Sequence, residues 1–378
     1  MELFYITYQA IPSTTAHGVH TFSLIKNFSK QNTDLTLVYP LRDKTSSDDI
    51  NVIKEKFDLS ENFKIHPTKH YLPFGTVTVF RRFIYLFSHI LWSFFVSKKY
   101  KNKNNFFTLS DWVFYFLSRH KKNVIFECHN LTSIRIRLIK KSLKINKESK
   151  VIFINDLIRE DSGLQKGSQV YVLESGYDDD IFYVSPKNNK KQKIVFSGNL
   201  LRFEKDRGVK KILDYFCNSS LSKNLELHIV GGPNEYVEQL RNLTPSKDGQ
   251  ESVIFYGHVN RKKVAEVLSQ CDIGIMVNNN TTHSERHTSP LKYFEYLGSG
   301  LKVVATDVEA HRILPFNQHI QFFALDDIDS FENAINTALS STNELDSKDL
   351  IKLTNKYRVE QLINLLKARP EGLEPSTP

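Results

Sequence analysis

Short, nearly continuous apolar runs recur along this chain, and stretches with helical periodicity fill the gaps between them. LFYITY (3–8) precedes an amphipathic stretch from His20 to Lys30, and DLTLVYP (34–40), NVIFEC (123–128), KVIFIN (150–155) and QVYVLE (169–174) follow. Runs of β-branched and aromatic residues without polar alternation need burial on both faces. A parallel sheet meets that need when helices cover each side. A second series begins after YVSPKNNKKQ (183–192), whose polar residues and proline read as a linker. It runs KIVFSG (193–198), LELHIVGG (225–232), SVIFYG (252–257), DIGIMV (272–277) and LKVVAT (301–306). The expected architecture is α/β, with two doubly wound units over 1–185 and 190–345. A terminal helical pattern covers 346–368, and the tail RPEGLEPSTP, 369–378, reads as disordered. A chain of 378 residues accommodates two such cores. Open parallel sheets bind ligands beyond the carboxyl ends of their strands, so the expected site is a cleft between the units, lined by post-strand loops.

Composition excludes several classes. The three cysteines, Cys128, Cys217 and Cys271, show no CxxC spacing, which argues for a reducing compartment and against a disulfide framework or structural zinc. The start, MELFYITYQAIP, reads as a buried strand and lacks a basic leader. The longest apolar run, FIYLFSHILWSFFV (83–96), is too short to span a bilayer unaided. A cytoplasmic location follows as the expectation. The net charge of +9 is uneven: residues 64–150 hold 18 Lys and Arg against Asp111, Glu127 and Glu148. Basic residues flanking an aromatic segment suit an anionic surface, either lipid headgroups or nucleic acid; a plain solvated face is the simpler account.

The stretch ERHTSPLKYFEYLGSG (285–300) carries the densest chemistry. Ser289 and Pro290 fit an N-cap followed by a first-turn proline, Leu291, Phe294 and Leu297 share an apolar face, and Gly298 and Gly300 end the helix. Lys292 and Glu295, three apart, share another face. An open helix N-terminus plus a lysine makes an anion site, while a carboxylate one turn deeper suits sugar hydroxyls. Phosphate at the tip with ribose beside it describes a nucleoside diphosphate. An ordinary surface ion pair is the competing account of the same spacing.

The segment SERHTSPLKYFEYLGSGLKVVATD (284–307) resembles the donor-site segment of GT-B glycosyltransferases of the family 4 type. GYDDDIF (176–182), VIFECHN (124–130), IVFSGNL (194–200), HIVGGP (228–233) and YGHVNRKKVAEVLSQCDIGIM (256–276) resemble further family motifs, in the family's order and across most of the chain. The resemblance implies two Rossmann-like domains and a nucleotide-sugar donor. It implies that Glu295 binds the donor ribose, and that the backbone of Thr288, Ser289, Pro290 and Leu291, with Lys292, holds the diphosphate. Gly257 and Val259 would border the base, His129 would face the transferred sugar, and Gly18 would let backbone approach phosphate or acceptor. A basic residue after Gly198 would neutralise the diphosphate. Arg202, Lys205 and Arg207 are candidates, with Arg202 and Lys205 favoured. The family's first glutamate position holds His287 here, with Glu285 two residues earlier, so either could serve the sugar.

The bland alternatives are a satisfied polar group for His129 and a simple turn for Gly18. The histidine pairs His17/His20 and His283/His287 sit on separate predicted loops without a carboxylate cluster, so no metal is expected, and no cofactor beyond the donor substrate. No GxSxG, Walker A or complete GxGxxG occurs. The resemblance implies retention of anomeric configuration, and front-side displacement fits the lack of a carboxylate nucleophile. The expected function is sugar transfer to a glycan or lipid-linked acceptor in bacterial surface polysaccharide synthesis, with residues 76–122 against an anionic membrane and no nucleic-acid partner. Competing readings are a non-catalytic nucleotide-sugar-binding subunit, motivated by His287, a basic nucleic-acid-binding protein and, further off, a sugar-nucleotide epimerase.

Overall fold

The computed structural model describes residues 1–13, 15–42, 46–70, 81–187, 191–202, 204–244, 252–278, 285–342 and 345–368. The chain forms two compact units, Met1–Glu174 with Arg358 onward, and Ser175–Tyr357. The division falls ahead of the polar 183–192 stretch that the sequence suggests as the linker. The reason is that GYDDDIF packs within the second unit: Tyr177 N donates to Leu353 O at 3.0 Å, and Asn355 N donates to Tyr177 O at 2.7 Å. The terminal helical pattern is two helices, Ser347–Lys352 and Asn355–Lys367, and the second returns the chain to the first unit. The expected tail at 369–378 lies outside the described residues.

The first unit is built on strands β1 (Glu2–Ile6), β2 (Asp34–Leu41), β3 (Lys64–Lys69), β4 (Asn105–Thr108), β5 (Asn123–Cys128), β6 (Lys150–Phe153) and β7 (Val170–Val172). They form one sheet in the order β3-β2-β1-β4-β5-β6-β7. All its pairings are parallel. Two apolar cores flank it. Phe4, Phe106, Phe126 and Phe153 face one, while Tyr5, Phe107, Ile125 and Ile152 face the other with Val359, Leu362 and Leu366 of the returning helix. Burial on both faces is what the unalternated apolar runs require.

The second unit has β8 (Gln192–Ser197), a hairpin of β9 (Leu201–Arg202) and β10 (Lys205–Asp206), then β11 (Leu225–Val230), β12 (Val253–Gly257), β13 (Ile273–Met276), β14 (Lys302–Thr306) and β15 (Ile320–Phe323). Its main sheet runs β12-β11-β8-β13-β14-β15, again with parallel pairings. The order reverses between β8 and β13, so the loops after those strands diverge there, where open sheets hold ligands.

The helix Leu291–Gly298 lies over β13 and closes with Gly300 at φ +72°. Gly300 N donates to Leu297 O at 3.0 Å and Leu301 N to Tyr296 O at 2.9 Å, which satisfies the last carbonyls of the helix. Tyr296 is fully buried; its hydroxyl accepts from Ser197 N at 2.9 Å and donates to Ile275 O at 3.2 Å. Its ring fills the space above Gly274, where an added Cβ would stand 2.2 Å from the ring. We expect Gly274→Ala to lower the stability of the protein by about 1–3 kcal/mol, the usual cost of overpacking a ring that cannot shift. Chemical denaturation of the variant checks this, and an unchanged midpoint would show that Tyr296 is free to move.

Candidate nucleotide-sugar site

Three strand ends in the second unit finish on glycine and pack backbone to backbone. Gly198 N donates to Val230 O at 2.9 Å, Leu200 N to Gly232 O at 2.9 Å, and Gly231 N to Gly257 O at 2.9 Å. At Gly231, with φ +143°, an added Cβ would lie 1.8 Å from Gly198 O, so only glycine fits. Gly257 has φ +68°, and the next amide, that of His258, donates to Asn234 Oδ1 at 3.0 Å. Val259 follows, half-buried against the apolar core under the helix Leu291–Gly298. Loops this close to their strands present backbone groups at the sheet's carboxyl edge.

At the head of that helix the structure differs from the spacing argument. Pro290, not Ser289, is the N-cap residue, and no side chain caps the helix. Ser289 Oγ instead accepts from Ser175 N at 3.3 Å. Thr288 is held by Asn278 Nδ2 at 3.4 Å; the Asn278 backbone N–H in turn donates to Thr306 Oγ1 at 3.0 Å, and its Nδ2 lies 3.2 Å from His311 Nε2. The first turn, Leu291 and Lys292, thus keeps backbone N–H groups uncommitted to a capping side chain.

Lys292 is the most telling side chain. Its Nζ is buried, lacks a hydrogen-bond partner among the described residues, and sits 3.9 Å from the centroid of the Phe196 ring. Burial, then the nearby Arg207 charge, holds this ammonium well below its usual range, with Glu295 opposing. A lysine packed on an aromatic face without a counter-charge is a site that an anion would complete. Arg207, the third candidate of its loop, is therefore the basic residue whose charge reaches Lys292. Of the two favoured residues, Lys205 is exposed on β10, and Arg202 pairs with it across the β9–β10 hairpin.

Glu295 stands one turn deeper, as expected, but it is engaged. Arg261 Nη2 donates to its Oε1 at 3.0 Å while Arg261 Nη1 donates to Asp178 Oδ2 at 2.7 Å. Asn355 Nδ2 donates to the other Asp178 oxygen at 3.1 Å. Burial pushes the Glu295 carboxyl up and Arg261 works against that. The surface ion pair with Lys292 that the spacing allows is not the contact Glu295 makes. Arg261 and Asp178 are the site residues that sequence reasoning missed. Their signal was present in NRKKV and GYDDDIF, but nothing in one dimension pairs residues so far apart.

Glu285 and His287 are both half-buried on the segment leading into the helix; Arg286 between them forms an ion pair with Glu309. In the first unit, Gly18 begins the helix Ala16–Lys30, and the space of its missing Cβ is filled by Ser13 O at 1.8 Å. That close approach is made by the loop's own backbone, so here Gly18 shapes the turn and does not receive a ligand from that side. His129 follows β5 and is half-buried. His17, His20 and Glu127 surround it, against the expectation that the histidine pair has no carboxylate nearby. His283 lies outside the described residues.

Residues 191–341 match the family model of glycosyl transferases group 1. The second unit is a group 1 glycosyltransferase domain. The chain as a whole has the GT-B architecture of two Rossmann-like units. It is similar to HepE from Anabaena in complex with UDP, at 12% identity and a TM-score of 0.62, over 97% of this chain and 99% of that one. A UDP-forming trehalose-phosphate synthase from Burkholderia xenovorans in complex with glucose-6-phosphate gives 10% identity and 0.63, over 97% and 100%. WaaG, a glycosyltransferase involved in lipopolysaccharide biosynthesis, gives 13% and 0.54, over 96% and 95%. Identities this low speak to fold alone. No curated protein matches by sequence.

Within this glycosyltransferase domain, the Asp178–Arg261–Glu295 chain predicts a clear stability effect. Arg261→Ala removes the cation that pairs with both Glu295 and Asp178, at about 3–5 kcal/mol. Without Arg261 the Glu295 carboxyl, already raised by burial, titrates higher still in the folded state, so the loss should be greatest at neutral pH and shrink as acid protonates it. Thermal melts of the variant across pH, with Arg261→Ala/Glu295→Gln as the partial rescue, check the sign.

Proposed function

We propose that this protein is a retaining glycosyltransferase that moves a sugar from a nucleotide-diphosphate sugar to a glycan or lipid-linked acceptor, in the building of a bacterial surface polysaccharide. The observation that carries the donor half is the buried, unpartnered Lys292 ammonium at an uncapped helix start. As the anomeric C–O bond breaks, negative charge grows on the departing diphosphate. Lys292, Arg207 and the free amides of the first helical turn are fixed to receive that charge, with no need for a metal. Glu295 Oε1 is taken by Arg261, which leaves its second oxygen to accept from ribose hydroxyls. His129 is assigned to the transferred sugar. A front-side displacement, in which donor and acceptor share one face, supplies retention without a protein nucleophile. The likeness to WaaG supports the surface-polysaccharide setting.

The acceptor half rests on the first unit. The helix Arg81–Lys99 buries Trp92, Val96 and the adjoining Tyr100, yet leaves Phe83, Phe87 and Phe94 exposed at spacings of four and seven residues, with Lys98 continuing that face. No described helix is long and apolar enough to cross a membrane. An exposed aromatic stripe ending in lysines fits the anionic interface, where a lipid-linked acceptor would be met. Residues 76–80 of the expected contact region lie outside the described residues.

Two measurements follow. Calorimetry with UDP, GDP and ADP should show one preferred base series, with proton uptake on binding that grows as pH rises, because the diphosphate restores the Lys292 charge. Lys292→Met should abolish the uptake and weaken binding by about 1.5–3 kcal/mol, and Glu295→Ala should weaken it through the ribose. No binding by any nucleotide would sink the donor assignment. Separately, exchanging Phe83, Phe87 and Phe94 for serine, or Lys98, Lys99, Lys101 and Lys103 for glutamine, should reduce sedimentation with anionic liposomes. Unchanged sedimentation would remove the membrane contact.

A further inference from the structure

A cluster of charge outside the donor site lies in the first unit. Glu127, near the end of β5, is fully buried. Its Oε1 accepts from His20 Nε2 at 2.5 Å and from His129 Nε2 at 2.6 Å, and its Oε2 accepts from Arg358 Nη2 at 2.7 Å. Arg358 also donates through Nε to Glu174 O at 2.6 Å. The ring of His17 packs edge-on against His129, with centroids 4.7 Å apart. His20, Glu127 and His129 also bring ligand atoms within 4.8 Å of one another, so two accounts compete, a cation site and a hydrogen-bond network.

The distances separate them. Two ligands of one tetrahedral zinc, each bonded at 2.0–2.1 Å, stand about 3.3 Å apart. Here both nitrogens lie at hydrogen-bond distance from one carboxylate oxygen, and the other oxygen faces a guanidinium. Burial alone would raise the Glu127 carboxyl, but Arg358 and the two histidines override it and hold it well below its usual range. An ionised carboxylate only accepts, so both histidines must present Nε2–H to it. Burial also keeps His20 below its usual range, and pushes His17 down to about 3 with the help of its histidine neighbours.

A neutral His129 with its proton on Nε2 has a bare lone pair on Nδ1, and that atom has no hydrogen-bond partner among the described residues. The charged and titratable groups around it are His17 and His20 on the helix Ala16–Lys30, Glu127 on β5, Arg135 on the helix Ser133–Ile145 and Arg358 on the helix Asn355–Lys367. We propose that Glu127, anchored by Arg358, is a positioning residue for sugar transfer: it fixes His129 in the Nε2–H tautomer so that Nδ1 accepts a hydrogen bond from a hydroxyl of the transferred sugar. This rests on the assignment of His129 to the sugar. The arrangement suits a neutral polyol, because the only charge of the cluster that is not already matched would be one the ligand brought.

Nitrogen NMR of the imidazole rings in the full chain reads the tautomers directly. The expected result is Nε2–H for His20 and His129 near neutral pH, with His129 losing that preference in Glu127→Gln. His129 protonated on Nδ1, or unmoved by Glu127→Gln, would overturn the inference. A kinetic arm uses whichever sugar conjugate of UDP, GDP or ADP turns over, followed as nucleotide release. Glu127→Gln should lower kcat by about tenfold or more with KM little changed, as expected when a buried hydrogen-bond partner is lost. Absence of turnover with every conjugate defeats the sugar-transfer assignment itself, while the NMR result still decides the tautomer. Zinc titration of the same variants completes the test: tight binding that requires His20, Glu127 and His129 would make the cluster a metal site and overturn the network.

Discussion

The phenol of Tyr296 is the point on which the second unit's site depends. One hydroxyl ties β8, through Ser197, to β13, through Ile275, across the place where the sheet reverses direction. Its ring occupies the room left by Gly274, so the helix Leu291–Gly298 can approach the sheet closely and in one register only. That fixes Glu295, the preceding residue, and Lys292, one turn earlier. A looser helix would give Lys292 a path to solvent, and its ammonium would take it, because burial of an unpaired charge is opposed at every step. The unusual state of Lys292 is thus a consequence of how firmly Tyr296 is held.

The two units treat buried charge in opposite ways. In the first, Glu127 is surrounded by donors that belong to the protein, so the carboxylate is complete before any ligand arrives. In the second, Lys292 faces an aromatic ring and has no anion. Glu295 falls between these cases, with one oxygen committed to Arg261 and the other left over. Arg261 does more than neutralise. By holding Asp178 as well, it links the helix to the start of the second unit, where Tyr177 and Asn355 exchange hydrogen bonds with neighbouring backbone.

Much of the architecture was legible because parallel strands buried on both faces write themselves as unbroken apolar runs. NVIFEC fell on β5 to the residue. The strands missed were those whose surroundings relax that demand. Edge strand β3, KIHPTK, contains a proline and polar residues, and edge strand β15, IQFF, is four residues long. Central β4, NFFT, is equally short and gives no periodicity to detect. The donor helix was readable from SPLK and its closing glycines, though not its cap, since whether Ser289 caps or braces Ser175 depends on a residue 114 positions away. The same limit hid Arg261 behind Glu295 and the carboxylate behind the His17/His20 pair.

These differences bear on what each unit can recognise. A binding group contributes most where the free protein cannot satisfy it, because a ligand then replaces nothing. Lys292 meets that condition, so an anion gains its full attraction there. Glu295 meets it by half, since any hydroxyl donor would share the carboxylate with Arg261. Around Glu127 the condition is reversed: its two oxygens already accept from His20, His129 and Arg358. A ligand that placed negative charge beside Glu127 would meet repulsion without compensation. The distribution of satisfied and unsatisfied groups therefore favours a negative charge beside Lys292 in the second unit and disfavours one beside Glu127 in the first.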